Sequence, residues 1–525
     1  MWYGAQMDAR PPEGISPQDL LRCFEVLETI ASDGHVLARL NEDDRVRLMM
    51  AAGRLIHPEQ AEARRRVKAK RSFKKQQLEA KDRVVRAATH IRAARRDAVF
   101  VAPERRLIGP GAGAEPVVEL ERPRDCYVCK TSFTRVHFFY DAMCPDCGAL
   151  NYEKRFQTAP LDGRVALITG ARLKIGYQAA LMLLRAGARV VVTTRFPHDA
   201  AQRFARENDF GVWGDRLQVH GLDLRHSPSV EVFTQLMERR LDRLDILINN
   251  AAQTVRRPPG FYKHMVDLES APIETLTEGA RKILAQHAEL RRELTGSPDL
   301  GWLSEWHGIA DRTRVARPSG QPSTLGITES AALSQIPYKC DDGTEQYFPE
   351  GRLDADLQQV DHRAMNSWRM RLSDVPTAEL LEVQLVNSVA PFILCSKLKP
   401  LMLRDRTGEK HIVNVSAVEG QFARHTKTDK HPHTNMAKAA LNMMTLTSAR
   451  DYVRDGIHMN AVDTGWVTDE DPAAISARKQ AEHDFQPPLD IVDGAARVCD
   501  PIFSGLLTGQ HSWGNFFKDY RPVAW

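Results

Sequence analysis

Long apolar runs and a secretion signal are both missing from the sequence. No stretch approaches the roughly 20 apolar residues that a membrane-spanning helix needs. The first residues, Met1 to Asp8, lack the basic-then-apolar pattern of a signal peptide. Cysteine is scarce, with eight in 525 residues, whereas disulfide scaffolds belong to short secreted domains. We therefore expect a cytoplasmic protein that contacts no membrane and keeps its cysteines reduced.

Charge is nearly balanced overall but unevenly distributed along the chain. The total is +4, whereas residues 62–96 hold 14 Lys and Arg against Glu62, Glu79 and Asp82, so this segment carries +11 and the remainder −7. Its apolar positions are too sparse for a buried helix. We expect a helix face that pairs with acidic surface of the chain or of another protein subunit. Nucleic acid stays open as a partner, although Phe73 is the only aromatic side chain there for stacking on bases.

Helices are predicted for the N-terminal region, residues 1–60, and for the basic arm and linker, residues 61–122. Ser16 followed by Pro17 is a typical helix start, and Asn41 precedes a second helix. A long polar helix is predicted from Pro58 to Arg96. The following run, residues 108–113, is rich in glycine and indicates a linker. At this length, the chain is expected to form several domains.

Four of the cysteines form two close pairs within residues 123–157. Cys126 and Cys129 make one Cys-x-x-Cys pair and Cys144 and Cys147 the other, with 14 residues between the pairs. Two such pairs provide four thiolates for tetrahedral ligation of Zn²⁺. Because protein ligands would fill all four positions, we predict a structural, zinc-ribbon-like module, called the four-cysteine module below. A redox-active dithiol is the alternative.

From residue 158 to the C-terminus, short apolar strands alternate with amphipathic helices, which is typical of a parallel α/β sheet. The predicted strands are Val165–Thr169, Arg189–Thr194, Leu217–Asp223, Ile246–Asn249, His411–Ser416 and His458–Val462. We therefore predict an α/β fold with a doubly wound parallel sheet over residues 158–525.

The segment from Leu161 to Gly176 resembles the short-chain dehydrogenase/reductase family, whose members bind a nicotinamide dinucleotide on a Rossmann fold. A strand leads through Gly170 into a helix that begins near Gly176, where backbone amides face a pyrophosphate. In the family pattern Thr-Gly-x-x-x-Gly-x-Gly, the middle glycine is Lys174 in this chain. The resemblance implies that Arg172, Lys174 and Ile175 lie beside the phosphates, with the two cationic side chains reaching phosphate oxygens.

The resemblance also implies the form of the cofactor. Thr194 and Arg195 stand at the end of the second strand, where a neutral residue followed by Arg favours the 2′-phosphate of NADP(H) over NAD(H). The other cofactor contacts that it implies are Asp223 and Leu224 at the adenine, Asn250 and Ala251 in the turn beside the cofactor, Lys438 at the ribose and Val467 at the nicotinamide.

The family's active site is an Asn-Ser-Tyr-Lys tetrad, and three of its members match Asn387, Ser416 and Lys438. The tyrosine four residues before the lysine is replaced by Thr434, and no tyrosine occurs between Ser416 and Lys438. An alkyl hydroxyl is a much weaker acid than a phenol. We expect His433 or His431 to carry the proton, since imidazole titrates near neutral pH. Simple exposure of these histidines to solvent is the alternative.

More than a hundred residues separate Asn249 from Asn387, whereas family members need a few tens. An insertion is therefore predicted at about residues 255–364. Long excursions at this point lie near the edge of the sheet where ligands bind. The insertion is either a lid over the substrate or a docking surface for a protein partner.

Two functions follow from the resemblance. The first is an NADP(H)-dependent oxidoreductase of an unknown small molecule, with a homo-oligomeric state and a non-standard active site whose proton donor is a histidine or a substrate-assisted group. The second is a catalytically inactive NADP(H)-binding protein that senses redox state or acts as a scaffold. A nucleic-acid-associated protein, using the basic arm and the four-cysteine module, is a third hypothesis.

Overall fold

The computed structural model describes residues 16–58, 60–97, 99–103, 118–296, 323–338, 341, 345–424 and 427–525. The predicted linker at residues 108–113 and His425 of the histidine-containing loop therefore lie outside the described residues. The chain divides into two compact units, Met1–Ala80 and Lys81–Trp525.

The N-terminal unit is helical, as its sequence predicts. It contains α1 (Pro17–Ser32), a 3₁₀ turn (Gly34–Arg39), α2 (Glu42–Ile56) and the start of α3 (Gln60–Ala87). The Ser16 hydroxyl accepts from the backbone N–H of Asp19, whose carboxylate accepts from the N–H of Ser16, so α1 begins with a capping box. No residue of α1 or α2 is buried.

The four-cysteine module belongs to the second unit. After α4 (His90–Ala94), strand β1 (Glu119–Asp125) pairs antiparallel with β2 (Ser132–Arg135), and α5 (Pro145–Lys154) follows. The first cysteine pair lies at the turn of this hairpin, and the second pair lies at the start of α5, where Pro145 occupies the first helical turn. The module is therefore a hairpin followed by a helix.

An eight-stranded sheet forms the centre of the second unit. Its order is β10-β9-β8-β7-β6-β3-β4-β5, and all neighbouring pairs are parallel except β9 with β10. The strands are β3 (Val165–Thr169), β4 (Arg189–Thr194), β5 (Leu217–Gly221), β6 (Ile246–Asn249), β7 (Lys410–Ser416), β8 (Ile457–Asp463), β9 (Phe516–Lys518) and β10 (Arg521–Val523). The predicted doubly wound sheet is confirmed, and its strand order reverses between β3 and β6.

Helices cover both faces of the sheet and bury two apolar clusters. They are α6 (Lys174–Arg185), α7 (Pro197–Ala205), α8 (Phe210–Trp213), α9 (Ser227–Arg240), α10 (Pro259–Ser270), α11 (Glu278–Gly296), α12 (Leu325–Thr328), α13 (Thr377–Gln384), α14 (Ala390–Met402), α15 (Pro432–Tyr452), α16 (Ala473–His483) and α17 (Ile491–Thr508). The predicted insertion contains α10, α11 and α12.

The helical stretch Thr377–Met402 corrects the expectation that no segment of the chain is long and apolar enough for a membrane-spanning helix. It joins α13 to α14 through a π-helical turn (Leu385–Val389), and by length and composition it is apolar enough to cross a membrane. Half of its most apolar 18-residue segment is buried inside the protein, because side chains such as Leu394 and Leu398 pack against the sheet. Core helices pass the same compositional test, so this stretch is weak evidence for a membrane span.

Candidate functional site

A cavity of about 1270 Å³ lies at the carboxyl ends of the parallel strands. Ligands bind at this edge where the order of a doubly wound sheet reverses. Gly170 follows β3 with a φ of +68°, and a Cβ on it would lie 2.8 Å from the backbone of Ala251. A Cβ on Gly176 would lie 2.3 Å from the side chain of Asn250. Both glycines thus permit the close packing of the turn, and both line the cavity.

Lys174 has a backbone conformation that favours glycine. Its φ is +55°, in the left-handed region that costs an L-residue of this type roughly 1–2 kcal/mol. Its ammonium lies 3.7 Å from a carboxylate oxygen of Glu470 and 3.9 Å from one of Asp356 in the insertion. Although burial opposes them, these carboxylates raise the pKa of Lys174. The side chain thus bridges the glycine turn to two segments that cover it.

Arg172 lines the cavity with a side chain that already has partners. Its guanidinium donates to Asp199 at 2.7 Å and to the side-chain oxygen of Gln358 at 2.6 Å. These two acceptors hold the Arg172 side chain in place, and its contact with a phosphate stays a prediction. The insertion residue Gln358 supplies the competing acceptor, which the local motif does not reveal.

The end of β4 presents the residues that the sequence associates with a 2′-phosphate. Thr194 and Arg195 both line the cavity. The Arg195 guanidinium donates to the hydroxyl of Tyr262 at 2.9 Å and lies 4.9 Å from the centre of that ring. Tyr262 belongs to α10 and stacks on Phe196 at 5.2 Å. The insertion therefore orients Arg195 over the edge of the cavity.

The predicted adenine contact Asp223 is paired with a neighbouring arginine. Asp223 and Leu224 line the cavity, but the Asp223 carboxylate accepts a two-pronged bond from Arg225. Arg225 also donates to Glu382 at 2.9 Å. Although burial opposes it, Arg225 lowers the pKa of Asp223. Arg225 was not predicted as a site residue, and its position two residues after Asp223 is the only sequence signal for it.

The remaining predicted cofactor residues also lie at the cavity. The Asn250 side-chain amide donates to the carbonyl oxygens of Thr169 and Gly170 at 3.0 and 3.1 Å, which fastens this turn to the glycine turn. Ala251, Ile175 and Val467 line the same space.

Two members of the predicted tetrad meet at the cavity. Ser416, at the end of β7, donates its hydroxyl hydrogen to the Asn442 side chain. Lys438, on α15, donates to the carbonyl oxygen of Val415 at 2.7 Å. Burial lowers the pKa of Lys438 to about 8, against the raising effect of Glu419 and Asp463. An ammonium with this pKa can exchange its proton near neutral pH.

Three other predicted catalytic residues are buried but do not line the cavity. Asn387, on the π-helical turn, pairs both of its amide atoms with the backbone of Gln253. His433 faces away from the cavity, with its Nε2 3.5 Å from Glu379. Thr434 donates to the carbonyl oxygen of His431 at 2.8 Å. Of the two histidines named as candidates for the proton carrier, His431 lines the cavity and His433 does not.

His431 lines the cavity directly before α15. Its Nδ1 is 3.1 Å from the Thr434 hydroxyl, and its ring stacks on Trp368 at 4.0 Å. Its backbone N–H donates to the carbonyl oxygen of Met370 at 2.7 Å. Its φ is +41°, a strained conformation for histidine. The imidazole contacts the Thr434 hydroxyl and lines the cavity, whereas Thr434 does not. Pro432 marks the helix start in the sequence and so also marks His431.

The charge of the cavity favours an anionic ligand. Twelve Lys and Arg and five Asp and Glu line it, so its formal charge is about +7 when all of them are ionised. Three of the seven described non-glycine residues with positive φ, namely Lys130, Lys174 and His431, are among the lining residues. Strained backbone therefore concentrates where the ligand would lie.

The four predicted metal ligands come together in the four-cysteine module. The Sγ atoms of Cys126, Cys129, Cys144 and Cys147 all lie within 4.8 Å of one another, and none of them forms a disulfide. The Sγ atoms of Cys129 and Cys144 are 3.7 Å apart. Tetrahedral Zn²⁺ with Zn–S bonds of about 2.3 Å needs an edge of roughly 3.8 Å. The cluster thus fits zinc by geometry and by donor chemistry.

The C-terminal part of the basic segment is already paired within the second unit. Arg86 lies 2.9 Å from Asp484, and Arg92 lies 2.6 Å from Asp141 and 3.2 Å from Asp484. Arg95 donates to the carbonyl oxygens of Pro487 and Leu489 at 2.6 and 2.7 Å. These residues stabilise the contact of α4 and the end of α3 with the loop after α16.

Two family models match the chain. The one described as short chain dehydrogenase matches residues 164–270. The one described as Enoyl-(Acyl carrier protein) reductase matches residues 351–489. The interval between the two matches falls inside the predicted insertion, and the cysteine pairs precede both.

Curated relatives show similarity of different extents. "Uncharacterized protein R665" of Acanthamoeba polyphaga mimivirus is 31% identical over 412 residues, 75% of this chain and 74% of that protein. "Uncharacterized oxidoreductase YohF" of Escherichia coli is 32% identical over 180 residues, 34% of this chain and 68% of that protein. Human "Retinol dehydrogenase 14" is 40% identical over 103 residues, 17% of this chain and only 31% of that protein.

Solved structures of similar proteins match at low identity. The Pseudomonas aeruginosa RhlG/NADP active-site complex has 18% identity and a TM-score of 0.38, covering 68% of this chain and 95% of that one. A dehydrogenase/reductase from Sinorhizobium meliloti has 16% identity and a TM-score of 0.40, covering 68% of this chain and 94% of that one.

Proposed function

Because the chain belongs to the short-chain dehydrogenase/reductase family of oxidoreductases, we propose that it is an NADP(H)-dependent alcohol dehydrogenase or carbonyl reductase in which His431 replaces the catalytic tyrosine. The observation that carries the proposal is the imidazole of His431, which is held in a strained backbone at the cavity that Ser416 and Lys438 also line. The family relationship supports the cofactor class, and the residues of this chain support the changed proton carrier.

The cavity fits a nicotinamide dinucleotide. Gly170 and Gly176 line the cavity at the N-terminus of α6, and a helix N-terminus favours a pyrophosphate. Arg195 lies at the end of β4, Lys438 is the ribose ligand implied by the family, and Val467 lines the far end. The excess of positive charge complements a polyanion. When bound, the cofactor accepts or supplies the hydride.

The contacts of His431 are consistent with a neutral imidazole that carries its proton on Nδ1. The Thr434 hydroxyl donates its hydrogen to the carbonyl oxygen of His431, so its lone pair accepts from Nδ1–H. In this tautomer, which the proposed reaction uses, Nε2 is the unprotonated nitrogen. Burial lowers the pKa of His431, against the raising effect of Glu419. At neutral pH the residue is therefore a base.

This arrangement favours the removal of a proton from an alcohol. The substrate hydroxyl loses its proton to Nε2 of His431, while the C–H bond loses a hydride, so that a carbonyl group remains. Ser416 contacts the substrate oxygen, and the Lys438 ammonium stabilises the negative charge that develops on it. In the opposite direction, protonated His431 returns the proton to the carbonyl oxygen.

Binding and turnover test the proposal separately. Purified protein is titrated with NADPH and with NADH, and is then assayed with NADP⁺ and a panel of primary and secondary alcohols, and with NADPH and aldehydes, ketones and quinones. Binding of NADPH with turnover of a panel member supports the enzyme. Tight binding without turnover of any panel member, even with His431 intact, supports the redox-sensing or scaffold function instead.

Arg195→Ala is expected to raise the Kd for NADPH roughly tenfold to a hundredfold, because it removes a charge-assisted bond to the 2′-phosphate. The Kd for NADH, which lacks that phosphate, should change little. Arg185→Ala is the matched control, since Arg185 pairs with Asp209 on the surface and does not line the cavity. Equal weakening of both cofactors by Arg195→Ala would contradict the 2′-phosphate assignment.

The pH dependence of oxidation should have two limbs. His431 must be neutral, and its pKa is lowered from 6.5, so kcat/KM should fall about tenfold per unit only as the pH drops below that lowered pKa. Lys438 must be protonated, so the rate should also fall as the pH rises past about 8. Reduction needs protonated His431 and should rise as the pH falls. Initial rates in both directions check this prediction. An oxidation rate that stays constant as the pH is lowered through the acid range would exclude His431 as the base.

We also infer that the four-cysteine cluster binds one structural Zn²⁺. The support for this is the short separation of the four Sγ atoms and the absence of a vacant ligand position. In the folded module, the backbone N–H of Cys144 donates to the Sγ of Cys126 at 3.3 Å, as amides in cysteine-pair turns do towards bound thiolates.

A further inference from the structure

The first cysteine pair extends into the wall of the cavity. Tyr127, between Cys126 and Cys129, lines the cavity, as does Lys130 directly after the pair. The hydroxyl of Tyr127 accepts a hydrogen bond from the backbone N–H of Trp466 at 2.9 Å. Lys130 donates to the carbonyl oxygen of Tyr127 at 2.5 Å. The predicted metal module therefore provides part of the site itself.

The segment that Tyr127 contacts is the one that borders the nicotinamide end. Gly465 precedes Trp466 with a φ of +74°, and a Cβ on it would lie 3.1 Å from the Tyr127 hydroxyl. Val467 follows, lines the cavity and packs in one apolar cluster with Cys126, Phe139 and Leu489. The fixed position of the Tyr127 side chain thus determines where the backbone from Gly465 to Val467 lies.

Independent contacts attach the module to α17, away from the cavity. The Tyr140 hydroxyl donates to Asp493 at 2.5 Å, and Arg155 lies 2.7 Å from Asp490 and 2.9 Å from Asp493. Neither Tyr140 nor Arg155 lines the cavity. Two tyrosine hydroxyls therefore join the module to the sheet domain, one at the cavity and one remote from it.

We propose that Tyr127 is a positioning residue that couples the metal cluster to the cofactor site. Ligation of Cys126 and Cys129 fixes the chain on both sides of Tyr127, and the Tyr127 hydroxyl then holds the backbone of Trp466 and Val467 in its binding position. Loss of the metal releases this segment and weakens binding of the dinucleotide. The inference rests on the proposed function for its ligand, but the restraint on Trp466 exists without ligand.

Tyr127→Phe and Tyr140→Phe provide a matched test in the full-length, zinc-loaded protein. Each change removes one hydroxyl hydrogen bond at the same interface. We expect Tyr127→Phe to raise the Kd for NADPH about threefold to tenfold, as loss of one hydrogen bond would, and to speed hydrogen exchange at the Trp466 amide. Zinc content should stay unchanged. Tyr140→Phe should lower Tm but leave both the Kd and the Trp466 exchange unaltered. Wild-type protein stripped of zinc by a chelator should show the same two changes, in the Kd for NADPH and in exchange at the Trp466 amide, together with a lower Tm.

The outcomes separate this inference from the proposed function. If wild-type protein binds no NADPH, the proposed function fails, while hydrogen exchange at Trp466 still decides whether Tyr127 and the metal restrain that segment. If Tyr127→Phe leaves exchange and affinity at wild-type levels, the positioning role is excluded. If Tyr140→Phe changes both as strongly as Tyr127→Phe, the module acts only as a general scaffold, and the inference is overturned.

Discussion

Replacement of His431 by Asn is expected to lower kcat for alcohol oxidation by about 10²- to 10⁴-fold, the usual contribution of a general base. Asn has no basic nitrogen, but it tolerates the left-handed backbone that His431 adopts at φ +41°. The fold should therefore survive, and the Kd for NADPH should stay within about twofold, since the implied cofactor contacts are untouched. Steady-state kinetics and NADPH titration measure the two effects, and the acid limb of the pH profile should disappear.

His433→Asn is the matched control. His433 is two residues away and buried, but it faces Glu379 instead of the cavity. We expect a loss of Tm with kcat nearly unchanged. If His433→Asn removes activity and His431→Asn does not, the proton carrier is His433. Ligand binding must then rearrange α15 so that His433 reaches the cavity.

Thr434→Tyr restores the tyrosine of the family's tetrad at position 434. Because the His431 ring contacts the Thr434 hydroxyl and lines the cavity, whereas Thr434 does not, we expect a phenol at this position to displace the imidazole before it reaches the substrate. Thr434→Tyr alone should therefore lower activity. Higher activity of Thr434→Tyr than of wild type would contradict this expected loss.

Cys144→Ser is expected to remove zinc and lower Tm by on the order of 10 °C, because metal affinity in such modules contributes directly to folding. The module has only two short strands, β1 and β2, which by themselves are marginal in water. Its apolar side chains nevertheless form one cluster with Val467, Leu489 and Ile491 of the sheet domain. Loss of the metal should therefore destabilise the sheet domain along with the module.

Elemental analysis and thermal melts check this prediction. Cys23→Ser is the control, since Cys23 is exposed on α1 and distant in sequence from the cluster. It should change neither zinc content nor Tm. About one zinc per chain in Cys144→Ser, or no zinc in wild type, would contradict the structural metal site.

Several features follow from local sequence alone. The strands β3, β4 and β6 have the bounds that their short apolar runs predict, because a strand buried on both faces needs such a run. Ser16 and Asn41 begin helices because their side chains satisfy free backbone N–H groups. The long polar helix differs in one detail. It ends at Ala87, and Thr89 precedes the separate helix α4.

The cofactor residues were predictable for the same reason. Gly170, Thr194 and Asn250 each stand at or directly after the end of a strand, and the carboxyl ends of parallel strands meet at one edge of the sheet. Their joint position at the cavity therefore follows from the order of the strands. The residues that modify this site come from elsewhere in the chain: Gln358 binds Arg172, Tyr262 orients Arg195, and Trp368 stacks on His431.

The sequence by itself determined the doubly wound sheet, the two cysteine pairs and the missing tyrosine, because each depends on residue type and on spacing along the chain. Only the tertiary structure decided that His431, and not His433, faces the cavity, since helix α15 begins at Pro432 and turns neighbouring side chains to different sides. It also decided that Tyr127 of the four-cysteine module touches Trp466. That contact joins residues more than 300 positions apart, and it forms because Tyr127 packs in one apolar cluster with Val467, the neighbour of Trp466, which no local pattern specifies.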